Sequence, residues 1–177
     1  MARPPRPHRR GSLRYVSPMP DQTEPASPGS APSYAIVSGY FNPLHVGHLD
    51  LMESARSVAA ALIVIVNNDD QQLRKKGRII QDQASRLRIV RALRVVDQAV
   101  VADDEDDTVR ATLTRLRAEH PQAALTFCNG GDRSSPGATP EAETCARLGI
   151  DVIYGVGGEA KADASSRIIA ALDQPDT

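Results

Sequence analysis

Short apolar runs alternate with helix-spaced apolar residues over most of this chain. Each run is four to six residues long, and most are rich in Val, Ile and Ala without polar alternation. Such runs are typical of strands that are buried on both faces of a sheet. The predicted strands are Tyr34–Val37, Ala61–Val66, Ala99–Ala102, Ala123–Cys128 and Asp151–Tyr154.

Helix-spaced apolar stripes occupy three of the intervals between these runs. The stripes are Leu51, Met52, Ala55, Val58 and Ala59, then Leu87, Val90 and Leu93, then Val109, Leu113 and Leu116. A fourth helix is predicted over 141–148, because Pro140 precedes it and Gly149 follows it. Strands and helices that alternate over short links predict an α/β domain with a parallel five-stranded sheet and helices on both faces.

The first 33 residues have a different composition from the rest of the chain. They contain eight of the thirteen prolines and five arginines, with almost no apolar periodicity. Such a segment buries too little surface to offset its ordering entropy, and it lacks the apolar stretch of a signal peptide. We therefore predict a disordered arm over 1–33, one domain over 34–172 and a short tail over 173–177.

Charge and cysteine content restrict the class of protein further. Without the five arginines of the arm, 16 basic residues stand against 22 acidic ones, which argues against a nucleic-acid partner. No run approaches the ~20 apolar residues of a membrane span. Cys128 and Cys145 give neither a disulfide framework nor metal-ligand spacing. These features predict a cytoplasmic protein with no membrane or nucleic-acid partner.

Two histidines follow the first predicted strand and carry the strongest chemical signal of the chain. His45 and His48 lie three residues apart, and Gly47 precedes the second, where the first helix is predicted to begin. The free N–H groups and positive dipole of a helix N-terminus attract anions, and both imidazoles can donate to the same phosphate oxygens. A zinc site would need further ligands, yet the other histidines are His8 and His120. The pattern predicts a polyphosphate site.

The whole loop, Ser38-Gly39-Tyr40-Phe41-Asn42-Pro43-Leu44-His45-Val46-Gly47-His48, resembles the HxGH signature of the cytidylyltransferase-like nucleotidyltransferases. The likeness extends from about Tyr34 to Leu172 and is nearest to glycerol-3-phosphate cytidylyltransferases and heptose-phosphate adenylyltransferases. It implies a Rossmann-like fold, a homodimer, and transfer of CMP or AMP from CTP or ATP to a phosphorylated small acceptor. Pyrophosphate would leave, and Mg²⁺ would accompany the triphosphate.

The resemblance also implies roles for individual residues of this chain. The positions expected to be catalytic are His45, His48, Lys75 and Lys76. The two lysines would close over the polyphosphate, beside the two imidazoles. The positions expected at the nucleotide are Gly39, Tyr40, Phe41, Asn42, Gly47, Ser165 and Ser166. The positions expected at the acceptor are Arg86, Gly131, Asp132 and Arg133.

Several departures from the family pattern leave alternatives open. Asn42 replaces the Asp of cytidylyl relatives, and Phe-Asn-Pro resembles the mononucleotide adenylyltransferases. Asn129 replaces the lysine of a Lys-Gly-Gly-Asp segment, and Ala164 a frequent serine. Asn-Gly-Gly-Asp-Arg favours a sugar or polyol phosphate as acceptor. The alternatives are a nicotinate or nicotinamide mononucleotide adenylyltransferase and a nucleotide-binding sensor without turnover.

The acidic run over 103–107 precedes the third helical stripe. We expect a solvated loop in which Asp107 caps the helix that follows, with a metal or a cationic substrate as the alternative. No group of metal-ligating residues is visible in the sequence, so Mg²⁺ is inferred only from the triphosphate chemistry and the resemblance.

Overall fold

The computed structural model of the chain describes residues 31–130, 139–157 and 168. Most of the predicted arm lies outside the described residues, and so do five predicted site residues. Those five are Gly131, Asp132, Arg133, Ser165 and Ser166.

Over residues 31–130 and 139–157, five parallel strands form one sheet, in the order β3-β2-β1-β4-β5. All five predicted strands are present, with ends that differ from the predicted ones by no more than two residues. Their bounds are β1 Ser33–Gly39, β2 Ala61–Val66, β3 Gln98–Val101, β4 Ala124–Gly130 and β5 Asp151–Val156. The prediction of a parallel five-stranded sheet in a Rossmann-like domain is therefore confirmed.

In the described part of the chain, five helices connect the strands. Four were predicted, and the fifth lies between β2 and the second apolar stripe. Their bounds are α1 Val46–Arg56, α2 Asp69–Lys76, α3 Gln83–Arg91, α4 Arg110–Glu119 and α5 Ala142–Leu148. No helix in the described part of the chain is long and apolar enough to cross a membrane.

Helix α2 was not predicted, although its ends have recognisable signals. Asn68 caps its first turn in a capping box with Gln71, and Gly77 ends it in the left-handed conformation. Its only apolar residue is the exposed Leu73, so it has no apolar stripe. Capping residues, rather than hydrophobic periodicity, are therefore the signal from which this helix could have been predicted.

Apolar side chains from the two faces of the sheet form two separate cores. On one face Val37 and Val64 pack with Met52 of α1 and Val90 of α3. On the other face Ile36 and Ile63 pack with Leu113 of α4 and with Cys145 of α5. Helices therefore cover both faces, as predicted, and residues 35–37 of β1 and 62–66 of β2 are buried whichever face they point to.

The strand order places a topological switch point beside β1. Chain progression runs outward from β1 to β2 and β3 on one side and to β4 and β5 on the other. Connections on the two sides leave the sheet toward opposite faces, so a crevice opens beyond the carboxyl ends of β1 and β4. A ligand of this fold is expected there.

The acidic run before α4 forms ion pairs and caps. Asp104, not Asp107, caps α4, since its carboxylate accepts the N–H groups of Ala111 at 2.6 Å and Thr112 at 3.1 Å. Asp107 instead pairs with Arg74 of α2 at 2.9 Å. The prediction of an Asp107 cap was wrong, because the chain places Asp104 rather than Asp107 beneath the first turn.

Candidate active site

The first turn of α1 faces the crevice without a polar side chain to cap it. His45 is the N-cap residue in extended conformation, yet its side chain makes no cap hydrogen bond, and the first turn has no acidic residue. By contrast, Asn68 caps α2 and Asp82 caps α3. The N-terminus of α1 thus keeps the positive potential that favours an anion.

The two histidines of the motif stack at this helix end. The ring centroids of His45 and His48 lie 3.8 Å apart with an interplanar angle of 25°. Phe41 contacts His48 edge-on at 5.1 Å. The Nδ1 atom of His48 is buried and has no hydrogen-bond partner among the described residues. Ring contacts with His45 and Phe41 therefore hold the His48 imidazole at this helix end.

Burial, with smaller contributions from the nearby His45 and Lys76 charges, lowers the pKa of His48 from its ordinary value of 6.5 to about 4. The His48 imidazole is therefore neutral at pH 7. A neutral imidazole still donates one N–H, and it does so without adding a positive charge beside Lys76.

This pKa shift predicts how stability depends on pH. Because the pKa of His48 is lower in the folded chain than in the unfolded one, the unfolded chain binds more protons between pH 4 and 6.5. The free energy of unfolding should therefore fall as pH decreases through this window, by up to about 3 kcal/mol. We expect denaturant titrations at pH 7, 5.5 and 4.5 to show this loss.

The non-titrating variant His48→Gln is the control for that series, since other groups titrate equally in both proteins. The difference in unfolding free energy between wild type and variant should change across the window. An identical pH dependence in both proteins would show that His48 does not titrate abnormally.

The loop between β1 and α1 is shaped by Phe41. This residue is buried and has a φ of 51°, a conformation that a bulky residue adopts only when the surrounding packing enforces it. A Cβ atom at Gly39 would lie 2.9 Å from Cζ of Phe41. Gly39 therefore provides space for the Phe41 ring, and Phe41 in turn supports His48.

Asn42 lies in the same loop, but its side chain points into the protein. It is 1% exposed, and its Nδ2 donates to Oε1 of Gln72. Its carbonyl oxygen accepts a hydrogen bond from Nζ of Lys76 at 2.9 Å. Asn42 was predicted to contact the nucleotide, and here it joins the histidine loop to α2.

Helix α2 positions the two predicted lysines at different places. Lys75 borders the crevice, whereas Lys76 binds the histidine loop through Asn42. Desolvation and the nearby Arg86 charge lower the pKa of Lys76 from its ordinary value. Buried Gln71 anchors the helix, since its Nε2 donates to the carbonyls of Asp106 and Thr108 at 2.7 Å.

Substituting the two lysines should separate these roles. Lys75→Met is expected to weaken triphosphate binding by about 10- to 100-fold, the value of one charge-assisted contact, with little change in melting temperature. Lys76→Met should weaken binding and also lower the melting temperature, because the Asn42 carbonyl loses its donor. Calorimetric titration of ATP and CTP beside thermal unfolding checks both. Equal melting temperatures for the two variants would contradict this assignment.

Arg86 lies beneath the site rather than at its surface. Its side chain is 0% exposed, and Nη1 donates to the carbonyls of Asn67 at 2.6 Å and Tyr40 at 3.1 Å. Nη2 pairs with Asp69 at 2.8 Å, and Nε donates to the Gln81 carbonyl at 3.0 Å. Arg86 was predicted to contact the acceptor, and in the structure its guanidinium joins the ends of β1 and β2 to α2 and α3.

A cavity of about 300 Å³ opens at the switch point. It is bordered by the carboxyl ends of β1, β2 and β4 and by residues at or near α1, α2, α4 and α5. Four predicted site residues line it, namely Gly39, Tyr40, His48 and Lys75. The lining residues that were not assigned to the site are Ser38, Leu51, Asn67, Asp107, Val109, Cys128, Asn129, Gly130 and Glu141.

Glu141 is the unassigned lining residue that sequence reasoning missed most completely. The sequence predicts only that a helix starts at this residue. It is that N-cap residue, yet it is 4% exposed and borders the cavity. A glutamate at a helix start is common on surfaces. Only the fold brings this helix start to the switch point, so no local signal could have identified it.

The fold and the site together define a Rossmann-like α/β protein with an HxGH loop at an uncapped helix N-terminus. The chain belongs to the cytidylyltransferase-like family, whose model matches residues 36–168. The resemblance predicted from the histidine loop is thereby confirmed.

Individual relatives agree with this family. The chain is 34% identical over 129 residues to the bifunctional protein HldE of Streptomyces coelicolor; this covers 69% of the chain but only 26% of HldE. A lipopolysaccharide core biosynthesis protein from Thermoplasma volcanium superposes with a TM-score of 0.53 at 26% identity, covering 70% of this chain and 93% of that one. A candidate nicotinate-nucleotide adenylyltransferase from Vibrio parahaemolyticus has the same fold, with a TM-score of 0.58 at 21% identity over 80% and 86% of the chains.

Proposed function

We propose that this protein transfers a nucleotidyl group from CTP or ATP to the phosphate of a small acceptor and releases pyrophosphate. An acceptor phosphate oxygen attacks the α-phosphorus in line, a new P–O bond forms, and the bond from the α-phosphorus to the oxygen bridging the α- and β-phosphates breaks. The observation that carries this proposal is the stacked histidine pair on the uncapped N-terminus of α1, where His48 borders a cavity at the switch point.

The site favours charge stabilisation over covalent catalysis. His45, His48 and the first-turn amides of α1 would donate hydrogen bonds to the phosphate oxygens as negative charge redistributes between them. Lys75 adds a mobile positive charge at the cavity rim. Among the side chains that border the cavity, Cys128 is an unsuitable nucleophile, because burial raises its pKa to about 11. Positioning and electrostatics are sufficient for such a transfer.

Magnesium fits this chemistry as a companion of the nucleotide. Over residues 31–130 and 139–157 no group of three or more His, Cys, Asp or Glu side chains could hold a metal ion. Mg²⁺ commonly binds through substrate phosphates with only one or two protein carboxylates. We therefore propose that it enters with the triphosphate, where it would neutralise charge.

The acceptor proposed first is a sugar or polyol phosphate. The Asn-Gly-Gly-Asp-Arg segment and the similarity to HldE support this choice. The first alternative is nicotinate or nicotinamide mononucleotide, on the basis of Phe-Asn-Pro in the histidine loop. The second is a nucleotide-binding sensor without turnover.

Pyrophosphate release distinguishes these proposals. The full chain is assayed with Mg²⁺, with CTP or ATP, and with polyol phosphates, sugar phosphates and nicotinate mononucleotide as acceptors. Turnover of one nucleotide with one acceptor identifies both substrates. If no pair turns over while CTP or ATP still raises the melting temperature, the sensor proposal replaces the enzyme. Absence of both turnover and nucleotide binding rejects the two together.

A further inference from the structure

The residues that reach the cavity from the α4 and α5 side differ in chemistry from those on the α1 side. His48 and Lys75 supply hydrogen-bond donors suited to phosphate. On the opposite face of the sheet, Glu141 at the start of α5 brings a carboxylate to the same cavity. The cavity therefore has one part that favours anions and another that disfavours them.

Glu141 is held in this place by α4. Its side chain is 4% exposed, and Oε1 accepts the N–H of Val109 at 3.3 Å. Val109 is the N-cap residue of α4 and also borders the cavity. Val109, Asn129 and Glu141 form one wall of the cavity. The neighbouring Asp107 is exposed and paired with Arg74, so Glu141 is the enclosed carboxylate of this wall. A carboxylate can only accept hydrogen bonds at pH 7.

Asn129 supplies the complementary group at the end of β4. It borders the cavity, is 5% exposed, and its Nδ2 is buried without a hydrogen-bond partner in the described part of the chain. A buried donor without a partner costs about 1–3 kcal/mol. A ligand that offers an acceptor to Asn129 would remove this cost. The unpartnered donor is therefore independent support for a ligand at this wall.

We propose that Asn129 and Glu141 form the acceptor subsite and recognise neutral hydroxyl groups of a polyhydroxylated phosphate. This proposal rests on the proposed function, because the acceptor's phosphate must lie near His48. Asn129 donates to a hydroxyl oxygen, and Glu141 accepts a hydroxyl proton. A hydroxyl is both donor and acceptor, so a diol can offer an acceptor to Asn129 and a donor to Glu141.

Other acceptor chemistries match this wall less well. A carboxylate, as in nicotinate mononucleotide, would accept from Asn129 but would meet the Glu141 charge in an enclosed site. An ammonium group would attract Glu141 but offers no acceptor to Asn129. The wall therefore acts as a specificity determinant that favours sugar or polyol phosphates over anionic and cationic ones.

Small phosphates of similar size test the proposal by calorimetry on the full chain, with and without a non-hydrolysable CTP or ATP analogue. Glycerol 3-phosphate and ribose 5-phosphate carry hydroxyls, 3-phosphoglycerate adds a carboxylate, and phosphoethanolamine carries an ammonium group. We expect at least one hydroxyl-bearing probe to bind about 10-fold or more tightly than the other two classes. No preference for hydroxyls, or no binding of any probe, would overturn the proposal.

Two variants test whether Asn129 and Glu141 cause the preference for hydroxyl-bearing phosphates. Asn129→Leu keeps the side-chain volume and removes an unpartnered donor, so its melting temperature should be equal or higher while the hydroxyl preference falls about 10-fold. Glu141→Gln keeps an acceptor for Val109 and should lose discrimination against 3-phosphoglycerate. Glu143→Gln, an exposed glutamate on the same helix, is the matched control and should behave as wild type.

Nucleotide affinity separates this proposal from the proposed function. If CTP and ATP do not bind but the hydroxyl preference and its loss in the variants are observed, the nucleotidyl transfer fails and the subsite stands. If turnover is observed with acceptors of any class at similar kcat/KM, and the variants leave that pattern unchanged, the transfer stands and the subsite is rejected.

Discussion

The variant His48→Ala is expected to release pyrophosphate 10²- to 10³-fold more slowly than wild type, the usual effect of removing one preorganised donor to a developing oxyanion. His48 stacks on His45, borders the cavity and is neutral at pH 7, so its loss removes a donor without removing a net charge. Steady-state kcat measured at saturating nucleotide and acceptor tests this expectation.

Two further variants make the His48 result specific. His120→Ala is the matched control, because His120 lies at the end of α4 and contacts Tyr34 rather than the cavity. It should retain wild-type kcat. His48→Asn keeps an N–H donor and should recover part of the loss. A His48→Ala enzyme with wild-type kcat would remove the histidine pair from the mechanism.

The variant Arg86→Ala should be the most destabilising single change near the site. Removal of the guanidinium leaves the buried carbonyls of Tyr40 and Asn67 without this donor and Asp69 without its ion-pair partner. Removing one partner of a buried ion pair lowers the free energy of unfolding by about 3–5 kcal/mol. We also expect kcat/KM to fall, because the ends of β1 and β2 that border the cavity lose their common anchor.

Denaturant unfolding of Arg86→Ala beside Arg88→Ala measures this cost. Arg88 is exposed on the same helix, and its substitution should change the unfolding free energy by no more than about 0.5 kcal/mol. If Arg86→Ala does not fold, Arg86→Lys serves instead. It should also be less stable than wild type, because one ammonium cannot make all the hydrogen bonds that the planar guanidinium makes. Equal stability of the Arg86 and Arg88 variants would contradict the framework role.

The fold was predictable because its signals are local and repeated. Runs such as Ala61–Val66 are apolar at every position, which only a strand covered on both faces requires, and the observed β2 has these same bounds. Helix α2 escaped prediction because buried glutamines replace the usual apolar stripe. The side-chain amide of Gln71 donates to the backbone carbonyls of Asp106 and Thr108, more than 30 positions along the chain, a pairing that no short window of sequence shows.

The site was predictable only where its chemistry is local. His45, Gly47 and His48 lie within one turn of α1, so their spacing alone placed them at a helix N-terminus. Arg86 and Asn42 illustrate the opposite case. Each has the residue type expected at a ligand, yet each is turned inward by partners from other elements. Residue type predicts possible chemistry, and burial determines which of those possibilities is used.

The sequence by itself thus determined the parallel α/β fold, the helix N-terminus that carries the histidines, and the family to which the chain belongs. Those features depend on periodicity and on residues close together in the chain. The tertiary structure decided that Arg86 is a framework residue, that Lys75 and Lys76 differ, and that Glu141 and Asn129 meet at one cavity. These outcomes depend on strand order, because only the order β3-β2-β1-β4-β5 brings the ends of distant segments to the same edge of the sheet.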